Sequence, residues 1–355
     1  MKKIFYFLFI IFLWNVSFSQ EETYIQIDDF SENYYATVYI KDSLSFYNNQ
    51  LSEVEITIHE RYVTEKRVHT QRDKINVSDA QLRLKDLENI SFVSSADSHY
   101  RLGTIIYDDF NFDGNWDFAI KYRNGETCEN NFYKVYLSDG KNFHYSESFT
   151  NLAKEQCSMF RIDRVKKELF TEKYDNNIKV KNEYIVENGK NLVLVKSTAE
   201  KSNSNALFTD ITIKELKGKK YVTTHTTDNM LDAEGVYKVL SFKNAKGKKA
   251  NIFVYYNADM YTCNLGYMLL DAKGNVEFSY PMLERTKSDF TYDKNQNTLV
   301  FENKDSKYTI YENADKVGIK IISNGKRYNW VGEPKTKEGN LAKLDTLKII
   351  NMVKK

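Results

Sequence analysis

The chain has 355 residues, with 51 basic and 49 acidic side chains, 14% aromatic residues and only two prolines. That near-neutral balance offers no general electrostatic pull toward nucleic acid or an anionic membrane surface, so nucleic-acid binding is excluded. The 26 tyrosines and 22 phenylalanines suit pleated, half-buried surfaces and point to strands more than helices.

Residues 1–19 read as a secretory signal: Lys2 and Lys3, an apolar run from Ile4 to Trp14, and the small residues Ser17 and Ser19 before a cut at Gln20. The run is too short for a membrane span, which needs about 20 residues. The expectation is export to the periplasm or the extracellular space, with no membrane span after cleavage. From Gln20 onward the formal charge is zero, and 336 residues remain. That is more than one hydrophobic core usually serves, so two domains are expected.

Alternation dominates the rest. "YYATVYIK" (34–41), "VEITIHE" (54–60), "FYKVYLSD" (132–139), "NLVLVKS" (191–197) and "NIFVYYN" (251–257) have the period of two that half-buried strands require. Turn pairs stand between such runs: Asn124-Gly125, Asp139-Gly140, Asn188-Gly189, Lys273-Gly274 and Asn324-Gly325. Asn-Gly and Asp-Gly tolerate the positive φ of tight hairpin turns. Thus "VYLSDGKNFHYSE", "EYIVENGKNLVLV", "YMLLDAKGNVEFSY" and "ALFTDITIKELKGKKYVTTHTT" each predict a hairpin. No helical pattern of about ten residues separates the strands, so the sheets should be antiparallel. Only "NLAKLDTLKIINMVKK" at the end looks helical, with Leu341, Leu344, Leu347 and Ile350 spaced by three and lysines last. The fold class expected is mainly β: two antiparallel β domains, built as sandwich, barrel-like or open propeller-like sheets, with a short C-terminal helix. The first domain covers residues 20–230 and the second 231–355, with the boundary near "DNMLDAEG" (228–235).

Three cysteines in an exported chain permit one disulfide and leave one thiol over. Cys128 and Cys157 flank the same predicted hairpin and are the expected pair, with Cys263 in the other half. The alternative is three buried thiols acting as small hydrophobes.

The densest chemistry lies in "DDFNFDGNWDFAI" (108–120). Counting Asp109 as position one, oxygens fall at Asp109, Asn111, Asp113, the carbonyl of Asn115, and Asp117, with Gly114 at position six. Hard Ca²⁺ takes six to eight oxygens, and this spacing wraps them around one point. Gly at six permits the sharp turn. The bidentate Glu of an EF-hand is missing, because position twelve is Ile120, and "WDFAIKY" alternates like a strand. Two readings stand: a structural Ca²⁺ loop running into a strand, or a metal-free Asx-type turn that starts it.

"IIYDDFNFDGNWDFAIKY" and the aromatic-rich stretch after it resemble a family of exported bacterial proteins with a single FG-GAP-like calcium loop. The matching pieces are Asp109 to Asp117, Tyr133 to Leu137, Asp139-Gly140, Leu152, and Glu168 to Tyr174, over about residues 85–200. The resemblance implies calcium supporting the fold. It also implies a role as a periplasmic inhibitor of a lysozyme-like peptidoglycan hydrolase, that is, an immunity protein against a delivered effector. The second half of the chain lies outside the match.

Other chemistry is scarce. There is no His-Glu-x-x-His, and His59, His69, His99, His144 and His225 are scattered without ligand spacing. No Gly-x-Ser-x-Gly elbow or phosphate-cradling loop occurs. Cys263 in "MYTCNLGYM" reads as a buried strand thiol. "YNNQLS" (47–52), "SHYRLG" (98–103) and "RYNWVG" (327–332) mix aromatics with amides and arginine, which suits sugar stacking or a protein interface but equally a half-wet sheet face. Asp293-x-Asn295-x-Asn297 echoes the calcium loop without its Gly and reads as a hairpin turn. The expectation is an exported binding protein, not an enzyme, with another protein as partner. The alternative is a glycan-binding or envelope-scaffold module, and a secreted hydrolase ranks below both.

Overall fold

The computed structural model describes residues 23–28, 31–61, 72–87, 103–124, 131–202, 207–256, 262–281 and 289–355. The predicted leader, Cys128, His69, His99 and most of "SHYRLG" lie outside them. The described residues divide into two compact units. One runs up to Thr171 and includes Tyr184–Val193; the other comprises Glu172–Glu183 and Leu194–Lys355. The segment 228–235 falls inside the second.

In the first unit, strands β1 (Thr23–Ile27), β2 (Tyr34–Ile40), β3 (Ser52–Glu60), β4 (Arg72–Leu82), β5 (Ile105–Asp108), β6 (Asp117–Asn124), β7 (Asn131–Ser138) and β8 (Phe143–Tyr145) form one sheet. Its order is β1-β2-β3-β4-β6-β7-β8, with β5 also paired to β6. All its pairs are antiparallel except β4 with β6. The period of two works as expected on β2: Ala36, Val38 and Ile40 face the core, while Tyr35, Thr37 and Tyr39 face outward.

A helix absent from the sequence reading follows β8. This helix, α1 (Glu147–Gln156), is ten residues long. Its signals were present: Ser146 caps the Phe149 N–H, Phe149, Leu152 and Ala153 lie at i, i+3 and i+4, and Cys157 ends it in the left-handed region. Fewer than three turns are short enough to be mistaken for the far side of a hairpin. The helix seats on the sheet through Phe149, Leu152 and Ala153, which join Phe110, Tyr133, Val135 and Leu169 in a second core. Thr150 Oγ1 accepts the Val135 N–H at 3.0 Å, tying helix to strand.

Strands β9 (Arg161–Asp163), β10 (Glu168–Asp175), β11 (Ile178–Glu187), β12 (Asn191–Ser202), β13 (Phe208–Lys217) and β14 (Lys220–Asn229) form a six-stranded ladder in chain order. β13 and β14 are the hairpin read from "ALFTDITIKELKGKKYVTTHTT". Within the strands β11, β12, β13 and β14 themselves no residue is fully buried.

In the second unit β15 (Val236–Lys243), β16 (Lys249–Tyr256), β17 (Cys263–Leu270) and β18 (Val276–Tyr280) make an antiparallel meander, as do β19 (Phe290–Asp293), β20 (Thr298–Asn303), β21 (Ser306–Glu312), β22 (Val317–Ser323) and β23 (Lys326–Val331). Later segments add to both edges. β24 (Glu338–Gly339) pairs with β15, and β25 (Met352–Lys354) runs parallel to β19. Core residues such as Phe242, Ile252, Leu265, Phe290, Phe301 and Ile310 are 2% exposed or less.

The protein is therefore mostly β, in several largely antiparallel sheets, and none of them closes into a barrel among the described residues. The C-terminal helix is shorter than the lysine-ended pattern suggested. Leu341–Asp345 forms a 3₁₀ turn, and the final residues become β25. A spacing of three matches the 3.0 residues per turn of a 3₁₀ helix, so Leu341 and Leu344 both reach full burial. Ile350, in contrast, is 46% exposed. Asn351 accounts for the change of structure. Its Oδ1 accepts the Leu265 N–H at 2.8 Å and its Nδ2 donates to the Leu265 carbonyl at 3.0 Å. A side-chain amide thus pairs with a strand backbone, and the tail is held extended.

Candidate metal loop

Residues 109–117 link β5 to β6, whose first residue is Asp117. The loop is a ladder of side-chain to backbone bonds. Asp109 accepts the N–H groups of Asp113 (3.1 Å) and Gly114 (3.0 Å). Asp113 accepts the Asn115 N–H at 2.8 Å, and its other oxygen accepts from Asn111 Nδ2 at 2.9 Å. Gly114 has φ +92°, as a turn at position six requires. Phe112 sits at φ 62°, which non-glycine residues seldom adopt, and its ring packs on the second core.

Asp117 is fully buried and uses both oxygens. Oδ2 accepts the Phe110 N–H and Oδ1 the Ser138 N–H, each at 2.8 Å. Burial pushes its carboxyl up to about 7; the two N–H groups oppose that, and the Asp113 and Asp109 carboxylates add to it. Asn111 is also buried, and Nδ2 donates to the Gly189 carbonyl at 2.8 Å. Next to the loop, Asp108 is buried and ion-paired with Arg164. The Asn188-Gly189 turn was legible as a turn, but its contact with Asn111 and the Arg164 partner of Asp108 were not, because both contacts span more than 50 residues.

All five predicted positions therefore sit on one short loop. Its donors are oxygens only, and the repulsion at buried Asp117 is of a kind that a hard cation relieves, so the chemistry fits Ca²⁺. In the observed geometry the carboxylate oxygens are turned to backbone N–H groups, except Asp113 Oδ2, which accepts from Asn111 Nδ2. Among the described residues no three Asp, Glu, His or Cys side chains come together as a ready metal cluster.

The remaining candidates are dispersed. Cys157 is disulfide-bonded, and Cys263 is a free, buried thiol. His144 bonds Asp139 at 2.9 Å, and His225 bonds Thr212 at 3.1 Å. Asp293 accepts the Asn295 and Gln296 N–H groups in the β19–β20 turn, as a hairpin turn should. Trp330 of "RYNWVG" packs edge-on against Phe242, with ring centroids 5.4 Å apart, and so belongs partly to the core. Tyr47 of "YNNQLS" is exposed, while Ser52 at its other end is buried. One arrangement escaped the sequence reading. Thr37 Oγ1, His59 and Asp73 form a chain, with 2.8 Å at each imidazole nitrogen. Its order is that of nucleophile, base and orienter, but the imidazole is buried and Tyr35 stacks on its face. It joins three strands.

The chain is thus an all-β protein carrying an acidic loop set into its first unit, and no helix among the described residues is long and apolar enough to cross a membrane. No family model matches it, and no curated protein does. Among solved structures, a Xanthomonas type IV secretion system related protein is similar at a TM-score of 0.43 with 17% identity, over 57% of this chain and 94% of its own. An endo-arabinase from Bacteroides thetaiotaomicron VPI-5482 aligns over 86% of this chain and 95% of its own, at 12% identity and a TM-score of 0.16. The WD40 domain of Toxoplasma gondii coronin aligns over 84% and 68%, at 8% identity and 0.15. None of these likenesses reaches the level at which an activity is assigned.

Proposed function

We propose that this chain is an exported binding protein that inhibits a lysozyme-like peptidoglycan hydrolase, with Ca²⁺ held in the 109–117 loop as a structural ion. The observation that carries the reading is the placement of Asp117. The loop's last carboxylate is buried and bonded to two backbone N–H groups, which suits a fold-supporting role and leaves it no path to a substrate. The resemblance of residues 85–200 to the calcium-loop inhibitors supplies the partner class. Asp109, Asn111, Asp113, the Asn115 carbonyl and Asp117 would hold the ion, which would neutralise the three carboxylates and stiffen the β5–β6 connection. Immobilised mature protein incubated with envelope extract should retain a peptidoglycan hydrolase in calcium buffer. Repeated failure to enrich any such enzyme counts against the reading.

A second reading, glycan or envelope-scaffold binding, is supported by Trp116. Its indole is 42% exposed beside Tyr107, with ring centroids 5.1 Å apart, an arrangement on which a sugar face can stack. Titration with soluble polysaccharides while following tryptophan emission tests it. An unchanged spectrum at saturating glycan removes it.

A further inference from the structure

We propose that the outer edge of β14, over Tyr221 to His225, docks an extended acidic segment of a partner protein as an added strand. β14 ends its sheet and pairs on one side only, with β13. The Thr227 N–H donates to Asn275 Oδ1 at 3.3 Å, so it points away from β13. The β13–β14 register runs unbroken from Phe208↔Asn229 to Lys217↔Lys220. Backbone groups alternate sides along a strand. Tyr221, Thr223 and His225 therefore also present N–H and C=O groups outward. Among the described residues nothing pairs with these groups.

The open stretch is bounded. At its C-terminal end Asn275 also accepts from Thr226 Oγ1 at 3.0 Å, and the Val276 N–H donates to Thr227 Oγ1 at 2.6 Å, which closes the edge there. Residues 220–225 are all exposed. Natural edges are usually blunted by proline, a bulge or a charge within the strand, and "YVTTH" carries none of these. Its tyrosine, valine and threonines are instead strong strand formers.

Charge selects the occupant. Lys214, Lys217, Lys219 and Lys220 are exposed around the β13–β14 turn, and Glu215 is the single acid among them, 3.3 Å from Lys217. Lys214 Nζ lies 4.5 Å from the Tyr221 ring centroid, beside the open edge. An extended strand adds affinity through main-chain bonds and specificity through its side chains. Here the side chains that match are carboxylates. A second copy of this chain fits less well, since antiparallel self-pairing about Thr223 would run Lys219 and Lys220 of each copy over the Asn275 end of the other. The docking edge adds a surface to the binding role above without depending on it, because its test uses a peptide and no hydrolase.

The test titrates mature protein with a synthetic peptide of alternating valine and glutamate, measuring affinity by calorimetry and amide exchange by mass spectrometry. Binding should slow exchange at Thr223 and His225. Thr223→Pro removes one outward donor and leaves the β13 ladder intact, and it should weaken binding roughly tenfold or more. Lys219→Glu with Lys220→Glu, both beside an exposed turn, should weaken it by about tenfold and leaves a test should the proline variant misfold. A valine–lysine peptide should bind far more weakly. Absence of binding by the valine–glutamate peptide overturns the proposal, as does equal binding of both peptides. Self-association abolished by Thr223→Pro would make a second copy the occupant and overturn it as well.

Discussion

Asp117 accepts the backbone N–H of Ser138 at 2.8 Å, joining the last position of the acidic loop to the end of β7. With the Phe110 N–H on its other oxygen, one buried carboxylate fixes where the loop ends, where β6 begins and where β7 stops. Asp117→Asn places an amide donor against one of two N–H donors and leaves a buried group unsatisfied. It should cost about 1–3 kcal/mol in urea denaturation. A loss near zero would show that the loop bears little of the first unit's stability.

The same carboxyl sets a pH dependence. Its folded value, about 7, lies above the ordinary 3.8. The folded state therefore holds that proton more tightly than the unfolded state. This contribution is full below the ordinary value and is lost as pH rises through about 7. In EDTA, the melting temperature should fall from pH 4 to 7 more steeply for the wild type than for Asp117→Asn. Parallel profiles would contradict the assignment.

Calcium should reverse that loss. A cation bound only by the folded loop raises stability by mass action. EDTA should lower the melting temperature, excess Ca²⁺ should restore it, and Asp113→Ala should abolish the response. A wild-type melt indifferent to EDTA would leave a metal-free turn.

At the other end of the chain, Asn351→Ala should destabilise the second unit by about 2–4 kcal/mol, because the buried Leu265 N–H and carbonyl both lose their partner. Denaturant unfolding followed by amide exchange at β17 and β25 measures it. Local fraying of residues 352–354 alone would mean the amide pair is dispensable.

The cysteines can be checked by alkylation. Cys263 is buried, and burial pushes its thiol up, so iodoacetamide should leave it unlabelled in the native protein. In denaturant without reductant Cys263 should label fully and Cys157 should not, as mapped by mass spectrometry.

Much of the β architecture was legible because its signals are local. The Asp139-Gly140, Asn188-Gly189 and Asn324-Gly325 pairs stand in turns with positive φ, and the strand period predicts which side of β2 is buried. The acidic loop was legible for the same reason, since its Asp and Asn positions fall within nine residues. α1 was hidden because its ten residues follow a hairpin turn and carry few apolar positions. At the end of the chain the expected short helix is present, but it is 3₁₀ and stops at Asp345, since a three-residue spacing fits both α and 3₁₀ geometry. Tertiary pairing, of Asn351 with Leu265 and of β25 with β19, decides between helix and strand. The contacts from Asn111 to Gly189, from Asp108 to Arg164, and from Thr37 through His59 to Asp73 had no sequence signal. Each pairs common residue types across tens of positions.

The most direct measurement is the lysis of a peptidoglycan suspension by a purified lysozyme-like hydrolase, with mature protein titrated to excess in calcium buffer. Inhibition should be complete near one protein per enzyme and should weaken with Asp113→Ala in EDTA. An undiminished rate at large molar excess, across the hydrolases of the same envelope, would contradict the inhibitor role.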